Sequence, residues 1–218
     1  MKKTNIAIIC IMLLSFAISI YLYPMMPDNM ASHWGASGQV NGYMPKFWAL
    51  FLMPMISVVI LALLWAIPKL DPLKKNVEKF RSYFDLFILL LMIFMFYIHL
   101  LTISWNIGIR FDMIQLLAPA FCVLFYYAGV MMENSRMNWF IGIRTPWTLS
   151  SENVWNKTNR LGGKLFKIAG ILSLIALLPF SHGYTIFFII VPVLIFSLYI
   201  VAYSYLEYKK ENKGGKKR

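Results

Sequence analysis

Charge is scarce in this sequence. Of its 218 residues, only 14% are charged and 60% are hydrophobic, and the mean hydropathy is +0.65. A soluble domain typically has about 25% charged residues, because its surface must stay hydrated. The composition therefore excludes an ordinary soluble domain and predicts an integral membrane protein.

Cysteine and catalytic motifs are scarce as well. The two cysteines, Cys10 and Cys122, both fall within long apolar runs. A disulfide framework or a thiolate metal site is not expected there, so we interpret both as small packing residues. The apolar runs carry no carboxylate pairs, and the chain has no HExxH-type motif and no visible nucleophile with its base. We predict that the protein is not an enzyme and needs no cofactor.

What the sequence does have is a series of apolar runs long enough to cross a bilayer. About 20 helical residues span the roughly 30 Å hydrocarbon core. We predict an all-α integral membrane protein with a six-helix transmembrane bundle. The first run follows Lys2 and Lys3 as in a signal peptide, but no small-residue cleavage site follows it, so we expect a retained helix. The predicted spans are Thr4–Tyr23, Phe47–Ile67, Ser82–Trp105, Ile114–Met132, Leu165–Phe180 and Tyr184–Leu206.

The distribution of lysine and arginine predicts the orientation of these spans. Two basic residues precede the first span, five lie in 68–81, six in 133–167 and six from residue 207 onward; only Lys46 and Arg110 lie elsewhere. The positive-inside rule then predicts a multi-pass protein of the cell membrane with both termini cytoplasmic. Because the basic residues flank membrane spans, the net charge of +12 indicates contact with the lipid bilayer and no direct binding of nucleic acid.

Three regions follow from this topology. Residues 1–67 hold the first two spans and an outer loop at 24–46, and residues 68–132 hold spans three and four. Residues 133–218 hold a cytoplasmic loop, spans five and six and a basic tail. A tight hairpin at 181–183 is expected between the last two spans.

The outer loop is rich in turn-forming and aromatic residues. Prolines bound it, Asn-Gly and other glycine steps interrupt it, and His33, Trp34 and Tyr43 lie within it. This composition predicts a structured outer loop. The aromatic residues are equally expected at headgroup level, as in the aromatic belts of membrane proteins.

All three histidines, His33, His99 and His182, fall in the outer half of the predicted topology. Three imidazoles would suit zinc, but their spacing is non-local, and hydrogen bonds in turns or between helices explain them without a metal. We therefore predict no metal site. His99 lies inside the third span, where an ionisable group needs a partner or water, so it is either a proton-sensitive element or a neutral group bonded to a neighbouring helix.

The cytoplasmic loop between spans four and five begins with specific local signals. Thr145 before Pro146 favours an extended backbone, Ser150 is suited to cap a helix, and Glu152 suits the positive end of that helix. We predict a short cytoplasmic interfacial helix from about Ser151 to Leu161.

The spacing within this short helix predicts an amphipathic element. Val154, Trp155, Thr158 and Leu161 recur at intervals of three and four residues, with Lys157 and Arg160 beside them. Gly162 and Gly163 are expected to turn the chain into span five. The pattern fits either a structural anchor or a recognition surface for a partner.

Two strings in these loops resemble a known family. The outer string MPDNMASHWGASGQVNGYMPK resembles the N-terminal domain, and NWFIGIRTPWTLSSENVWNKTNRLGGKLF the C-terminal signature, of the SdpI family of bacterial membrane immunity proteins. RTPWTLSSENVW is the most specific part. The resemblance implies protection against a secreted toxic peptide of the SdpC type. In some arrangements it also implies a toxin sensor that recruits a cytosolic repressor to the membrane.

Two other function classes remain open: a signal-transducing paralogue without a toxin role, and a metal-dependent membrane enzyme or transporter, which is less favoured.

The resemblance also implies candidate functional residues in each loop. The outer candidates are Pro27, His33, Gly38 and Asn41, and the cytoplasmic candidates are Arg144, Thr145, Pro146, Trp147, Glu152, Asn153, Trp155, Thr158, Arg160, Gly162 and Gly163.

Overall fold

The computed structural model describes residues 2–178 and 184–215 and is mostly helical in these parts. His182 and the predicted hairpin at 181–183 lie outside the described residues. The helices are α1 (Lys2–Leu22), α2 (Lys46–Leu70), α3 (Lys74–Lys79), α4 (Arg81–Asn106), α5 (Met113–Asn134), α6 (Pro146–Ser150), α7 (Glu152–Ser173) and α8 (Thr185–Gly215).

Five helices in the described part of the chain are long and apolar enough to cross a membrane: α1, α2, α4, α5 and α8. Each of them contains one of the predicted spans, apart from the end residues Tyr23 and Tyr184, and α8 runs on past Leu206 to Gly215. Large apolar side chains such as Leu13, Leu63 and Leu198 are exposed on them. Exposed apolar surface on this scale fits a lipid environment, which confirms a helical multi-pass membrane protein.

The predicted boundary between an interfacial helix and a fifth span is wrong. A single helix, α7, runs from Glu152 to Ser173 and continues as a 3-10 turn to Leu177. Gly162 and Gly163 do not turn the chain but lie inside this helix. Four cations make it more polar than the five apolar helices: Lys157, Arg160, Lys164 and Lys167.

The long helices pack in two groups. In the first, α1, α2 and α4 share a core that includes Ile8, Leu61 and Phe84. In the second, α5, the turn after α7 and α8 meet at Ala118, Ala176 and Ile189. Contacts between α4 and α5 join the two groups.

Close backbone contact sets the course of α7. A methyl group built on Gly163 would lie 2.5 Å from the carbonyl oxygen of Gly129, and one built on Gly170 would lie 2.8 Å from that of Cys122. Further along, Ser173 Oγ donates to the carbonyl of Ala118 at 3.2 Å. Helix α7 therefore runs antiparallel to α5 from the end of α5 back almost to its start. Small residues permit such approach between helices in membranes.

The structured loop between α1 and α2 is a β-hairpin. Strand β1 (Asn29–Trp34) pairs antiparallel with β2 (Val40–Pro45), and Asn29 lies opposite Pro45. The turn between the strands includes Gly38, whose φ of +76° favours glycine. Sequence analysis predicted the order of this loop but not its strands. We call the end of the bundle that carries this hairpin the hairpin end, and the opposite end, with residues 71–80 and 135–151, the basic end.

Candidate functional site

The segment between α5 and α6 at the basic end is organised around the buried side chain of Asn138. Its Nδ2 donates to the carbonyls of Arg136, at 2.8 Å, and Ile141, at 2.9 Å. Its Oδ1 accepts from the backbone N–H groups of Phe140, at 2.9 Å, and Ile141, at 2.6 Å. One carboxamide thus satisfies four backbone groups, which holds a segment without secondary structure in one shape.

Asn159 fixes the next part of this segment to α7. Its Oδ1 accepts from the N–H of Ile143 at 2.8 Å, and its Nδ2 donates to the carbonyl of Trp155 at 3.2 Å. Gly142 precedes this contact with φ +105°, and a Cβ built there would lie 2.6 Å from Asn159 Oδ1. The position therefore needs glycine for both its backbone conformation and its lack of a side chain.

Thr145 and Thr148 form a capping box that starts α6. The N–H of Thr148 donates to Thr145 Oγ1 at 3.2 Å, and that of Thr145 donates to Thr148 Oγ1 at 2.8 Å. Thr145 is extended before Pro146, as expected. The cap of α7 is Ser151, whose Oγ accepts from the N–H of Val154 at 3.3 Å. The prediction of Ser150 as the cap is wrong, because its hydroxyl instead donates to the carbonyl of Pro146.

The apolar face of α7 points into the protein. Val154, Trp155 and Thr158 are fully buried, and the indole Nε1 of Trp155 donates to the carbonyl of Ser135 at 3.4 Å. Trp155 is therefore a packing residue in this structure and is not accessible to a partner. The same period of three and four residues that we interpreted as an interfacial face is a core face.

Charged residues tie α7 to α5 and α8. Lys157 pairs with Glu207 at 2.9 Å, and Lys210 pairs with the other oxygen of the same carboxylate at 2.7 Å. Lys167 pairs with Glu133 of α5 at 2.8 Å. These contacts hold α7 between α5 and α8.

Asp71 joins two loops at the basic end, and sequence analysis missed it. Its Oδ1 accepts from the N–H of Leu73 at 2.7 Å, and its Oδ2 accepts from the N–H of Trp139 at 2.9 Å. Nearby, Asn76 Nδ2 donates to the carbonyl of Met137 at 2.9 Å. An Asp before a proline directly after an apolar helix signals a turn, but nothing in the sequence indicates the second partner, 68 residues away.

At the hairpin end, Asn106 fixes the hairpin to α4. Its Oδ1 accepts from the N–H of Ala31 at 2.7 Å, and its Nδ2 donates to the carbonyl of Ala31 at 2.9 Å. At the base of the hairpin Lys46 lies 2.9 Å from Asp28. The hydrogen bond from Lys46, together with its charge, holds the pKa of the Asp28 carboxyl below its usual value.

A cavity of about 400 Å³ lies between the hairpin turn and the connection from α4 to α5. The guanidinium carbon of Arg110 lies 3.8 Å from the ring centroid of Trp105, and the ring of Trp34 meets the same tryptophan edge-on. Asp112 caps α5 by accepting from the N–H of Ile114 at 2.9 Å. We call this site the hairpin cavity; its lining residues are Ser37, Gly38, Gln39, Val40, Trp105, Arg110, Phe111 and Asp112.

Comparison with known proteins covers both ends of the molecule. The family model for the SdpI/YfhL protein family matches residues 134–205, and that for a domain of unknown function, DUF1648, matches residues 10–58. The chain is 28% identical over 211 residues to the immunity protein SdpI of Bacillus subtilis (strain 168), covering 96% of this chain and 98% of that protein. By these matches the chain is similar to the SdpI family. No solved structure matches it.

The SdpI/YfhL match begins at the last residue of α5 and includes the segment held by Asn138, α6, α7 and most of α8. The DUF1648 match includes most of α1, the hairpin and the first half of α2. The two strings that carried the family resemblance therefore lie at opposite ends of the helices.

The SdpI-type candidates at the basic end divide by exposure. The candidate Trp147 is half-buried and its ring lies 5.1 Å from that of Tyr205. The buried candidates are Thr145, Trp155, Thr158, Gly162 and Gly163, and the exposed ones are Arg144, Pro146, Glu152, Asn153 and Arg160.

The candidates at the hairpin end cluster only in part. His33 Nδ1 lies 2.5 Å from Asn41 Oδ1, whereas Gly38 lies against the carboxylate of Asp112 and lines the hairpin cavity. Pro27 lies in the connection before β1. Trp105 near the end of α4, with Arg110 and Asp112 in the connection that follows, completes the cavity. These three residues were not among the candidates, since this part of the sequence carries no motif.

The two described histidines have separate surroundings. His33 belongs to the hairpin, whereas His99 is buried in α4 with its Nε2 3.0 Å from the hydroxyl of Ser19 on α1. His182 lies outside the described residues. Among the residues that the structure describes, no group of three His, Cys, Asp or Glu side chains is suited to hold a metal ion.

Proposed function

We propose that this protein is a non-enzymatic membrane immunity protein that protects its cell against a secreted toxic peptide of the SdpC type. The observation that carries the proposal is similarity over nearly the whole length of both chains to a protein that is named for immunity. Because the match includes both the hairpin and the basic end, it concerns the complete arrangement of helices and loops.

We further propose six membrane crossings, with both termini in the cytoplasm and the hairpin end outside. Helix α7 follows α5 antiparallel, and Ile189 near the start of α8 packs against Ala118 near the start of α5. A chain that leaves α5 at one end and enters α8 at the other must cross between them, and α7 is the connecting helix. The concentration of lysine and arginine at the basic end supports a cytoplasmic position for that end.

Thiol labelling of intact cells tests this orientation. In a Cys10→Ser/Cys122→Ser background, single cysteines replace the exposed residues Gln39, Glu152 and Lys213. A membrane-impermeant maleimide is expected to label the Gln39 position in intact cells and the other two only after permeabilisation. If the Gln39 and Lys213 positions are labelled in intact cells and the Glu152 position is not, the chain crosses the membrane five times. Labelling of the Glu152 position from outside would overturn the orientation.

The hairpin cavity is the site that we assign to the toxic peptide. It faces the side from which a secreted molecule arrives, and it combines an aromatic wall, Trp105, with the cation of Arg110 and the carboxylate of Asp112. Aromatic and arginine side chains contribute much of the binding energy in protein interfaces. The hairpin itself is held to α4 by Asn106, so the cavity is pre-organised before a peptide binds.

Survival of a toxin-sensitive strain tests both the function and the site. Cells that express the protein are expected to survive a toxic peptide that kills cells with an empty vector. Arg110→Gln removes the cation of the cavity. It is expected to lower the highest toxin concentration that the cells survive about tenfold, as for one lost charge-assisted contact. Ile109→Ala, at an exposed neighbour outside the cavity lining, is the matched control.

Equal membrane levels of the variants must be shown by immunoblotting. Unchanged killing of cells that express the wild type would remove the immunity function. Full protection by Arg110→Gln would leave the function but exclude the hairpin cavity as the site.

The basic end is suited to the second role that the resemblance implies, recruitment of a cytosolic repressor when toxin is present. Arg144 is exposed there, directly after the segment that Asn138 and Asn159 hold, and Glu152 and Asn153 are exposed in the first turn of α7. The labelling experiment bears on this role too, since a Glu152 position outside the cell would make recruitment from the cytosol impossible.

A further inference from the structure

A polar cavity of about 260 Å³ lies at the basic end, where α5 ends beside the first turns of α7. Its lining residues include two arginines, Arg136 and Arg160, and Asn156. Asn159 closes its inner wall, but its side chain is already engaged with Ile143 and Trp155. This cavity is separate from the hairpin cavity, to which the toxic peptide is assigned above.

The charge of this cavity is unbalanced. In the part of the chain that the structure describes, five salt bridges are formed, and neither Arg136 nor Arg160 takes part in one. Glu133 also lines the cavity, but its carboxylate pairs with Lys167 at 2.8 Å. Two exposed arginines therefore line one cavity, while the carboxylate of Glu133 is neutralised by Lys167. Such an arrangement attracts an anion.

The position of the cavity along α5 narrows the identity of that anion. Helix α5 is one of the apolar helices that qualify as membrane spans, and it ends at Asn134. Arg136 follows this end directly, and Arg160 lies one turn before Gly163, which packs against Glu133. The two guanidinium groups thus lie just beyond the apolar length of the span, at the level of lipid headgroups.

We infer that Arg136 and Arg160 form a binding site for a phosphate group, with Asn156 as an additional donor. A guanidinium binds phosphate through two parallel N–H donors, which suits it better than an ammonium to a fixed site. The phosphodiester of an anionic phospholipid such as phosphatidylglycerol has this chemistry at this depth. A soluble phosphate from the cytosol would offer the same group to the same donors.

Native mass spectrometry of the purified full chain in detergent tests the site. Phosphatidylglycerol or phosphatidylcholine is added, and bound lipid is counted for the wild type and for Arg136→Gln/Arg160→Gln. The wild type is expected to retain phosphatidylglycerol in preference to phosphatidylcholine. The double variant is expected to bind phosphatidylglycerol about tenfold more weakly than the wild type does. Lys74→Gln/Lys75→Gln removes the same charge from exposed positions at the same end and is the matched control.

A second variant and a second ligand separate the remaining outcomes. Asn156→Trp fills the cavity without changing its charge and is expected to displace phosphatidylglycerol as well. If sodium phosphate stabilises the wild type more than chloride of equal ionic strength, and the two lipids bind alike, the source of the phosphate is soluble and the site stands. The phosphate site would be overturned if Arg136→Gln/Arg160→Gln and Lys74→Gln/Lys75→Gln lost equal amounts of lipid, or if Asn156→Trp bound lipid as the wild type does.

Discussion

Replacement of Gly163 by leucine is expected to prevent α5 and α7 from packing and to leave no stable folded protein. The first added carbon alone would lie 2.5 Å from the carbonyl oxygen of Gly129, an atom of the α5 backbone that cannot rotate away. Overpacking of a core usually costs about 1–3 kcal/mol, and a clash with helix backbone exceeds the upper end of that range. Separation of the helices would also break the contact at Gly170 and the Lys167–Glu133 ion pair.

Size-exclusion chromatography and thermal unfolding in detergent measure this effect. Gly163→Ala should lower the unfolding temperature by an intermediate amount, because it adds only the Cβ. Ala202→Leu adds three carbons at an exposed position of α8 and should behave like the wild type. A Gly163→Leu protein that elutes and unfolds as Ala202→Leu does would show that α5 and α7 are not in backbone contact.

The role of Gly163 shows where prediction from sequence ended. Adjacent glycines in a polar loop ordinarily indicate a turn, and helix propensity alone disfavours them by about 1 kcal/mol each. Here the lost propensity is offset by the approach of two backbones, which depends on Gly129 at a distant position in the sequence. A single sequence does not reveal which distant residue opposes a glycine, so α7 was divided into two elements.

The apolar helices were predictable for the opposite reason. Each of α1, α2, α4, α5 and α8 satisfies its own backbone hydrogen bonds, and its length is dictated by the thickness of the bilayer. Both properties are local, and the sequence alone located all five. The hairpin was intermediate, since its turn residues were visible in the sequence, whereas its attachment to α4 depends on Asn106, which is 75 residues from Ala31.

The polar residues that shape the basic end were the least predictable. Asp71, Asn138 and Asn159 form hydrogen bonds between their side chains and the backbone of irregular segments. Asp71 and Asn159 accept from N–H groups on other parts of the chain. Sequence analysis gave weight instead to Trp155, which proves to be fully buried. The strings that carry the resemblance to the SdpI family nevertheless include Asn138 and Asn159.

Alanine at Asn138 is expected to unfold the segment from Ser135 to Thr145 and to destabilise the protein by about 3 kcal/mol or more. The substitution leaves the N–H groups of Phe140 and Ile141 without their acceptor. Each polar group that is buried without a partner costs about 1–3 kcal/mol. The segment has no helix or strand of its own to compensate for the loss, and the side chains of Asp71 and Asn159 bond it only at Trp139 and Ile143.

Thermal unfolding in detergent and limited proteolysis of this segment measure the change. Asn212→Ala removes the same group from an exposed position of α8 and should alter neither. Asn138→Asp keeps the acceptor for both N–H groups but loses the donor to Arg136 and Ile141. If both Oδ1 and Nδ2 of Asn138 contribute, the stability of this variant should lie between those of the wild type and Asn138→Ala. An Asn138→Ala protein as resistant to protease as Asn212→Ala would mean that the neighbouring bonds from Asp71 and Asn159 suffice to hold the segment.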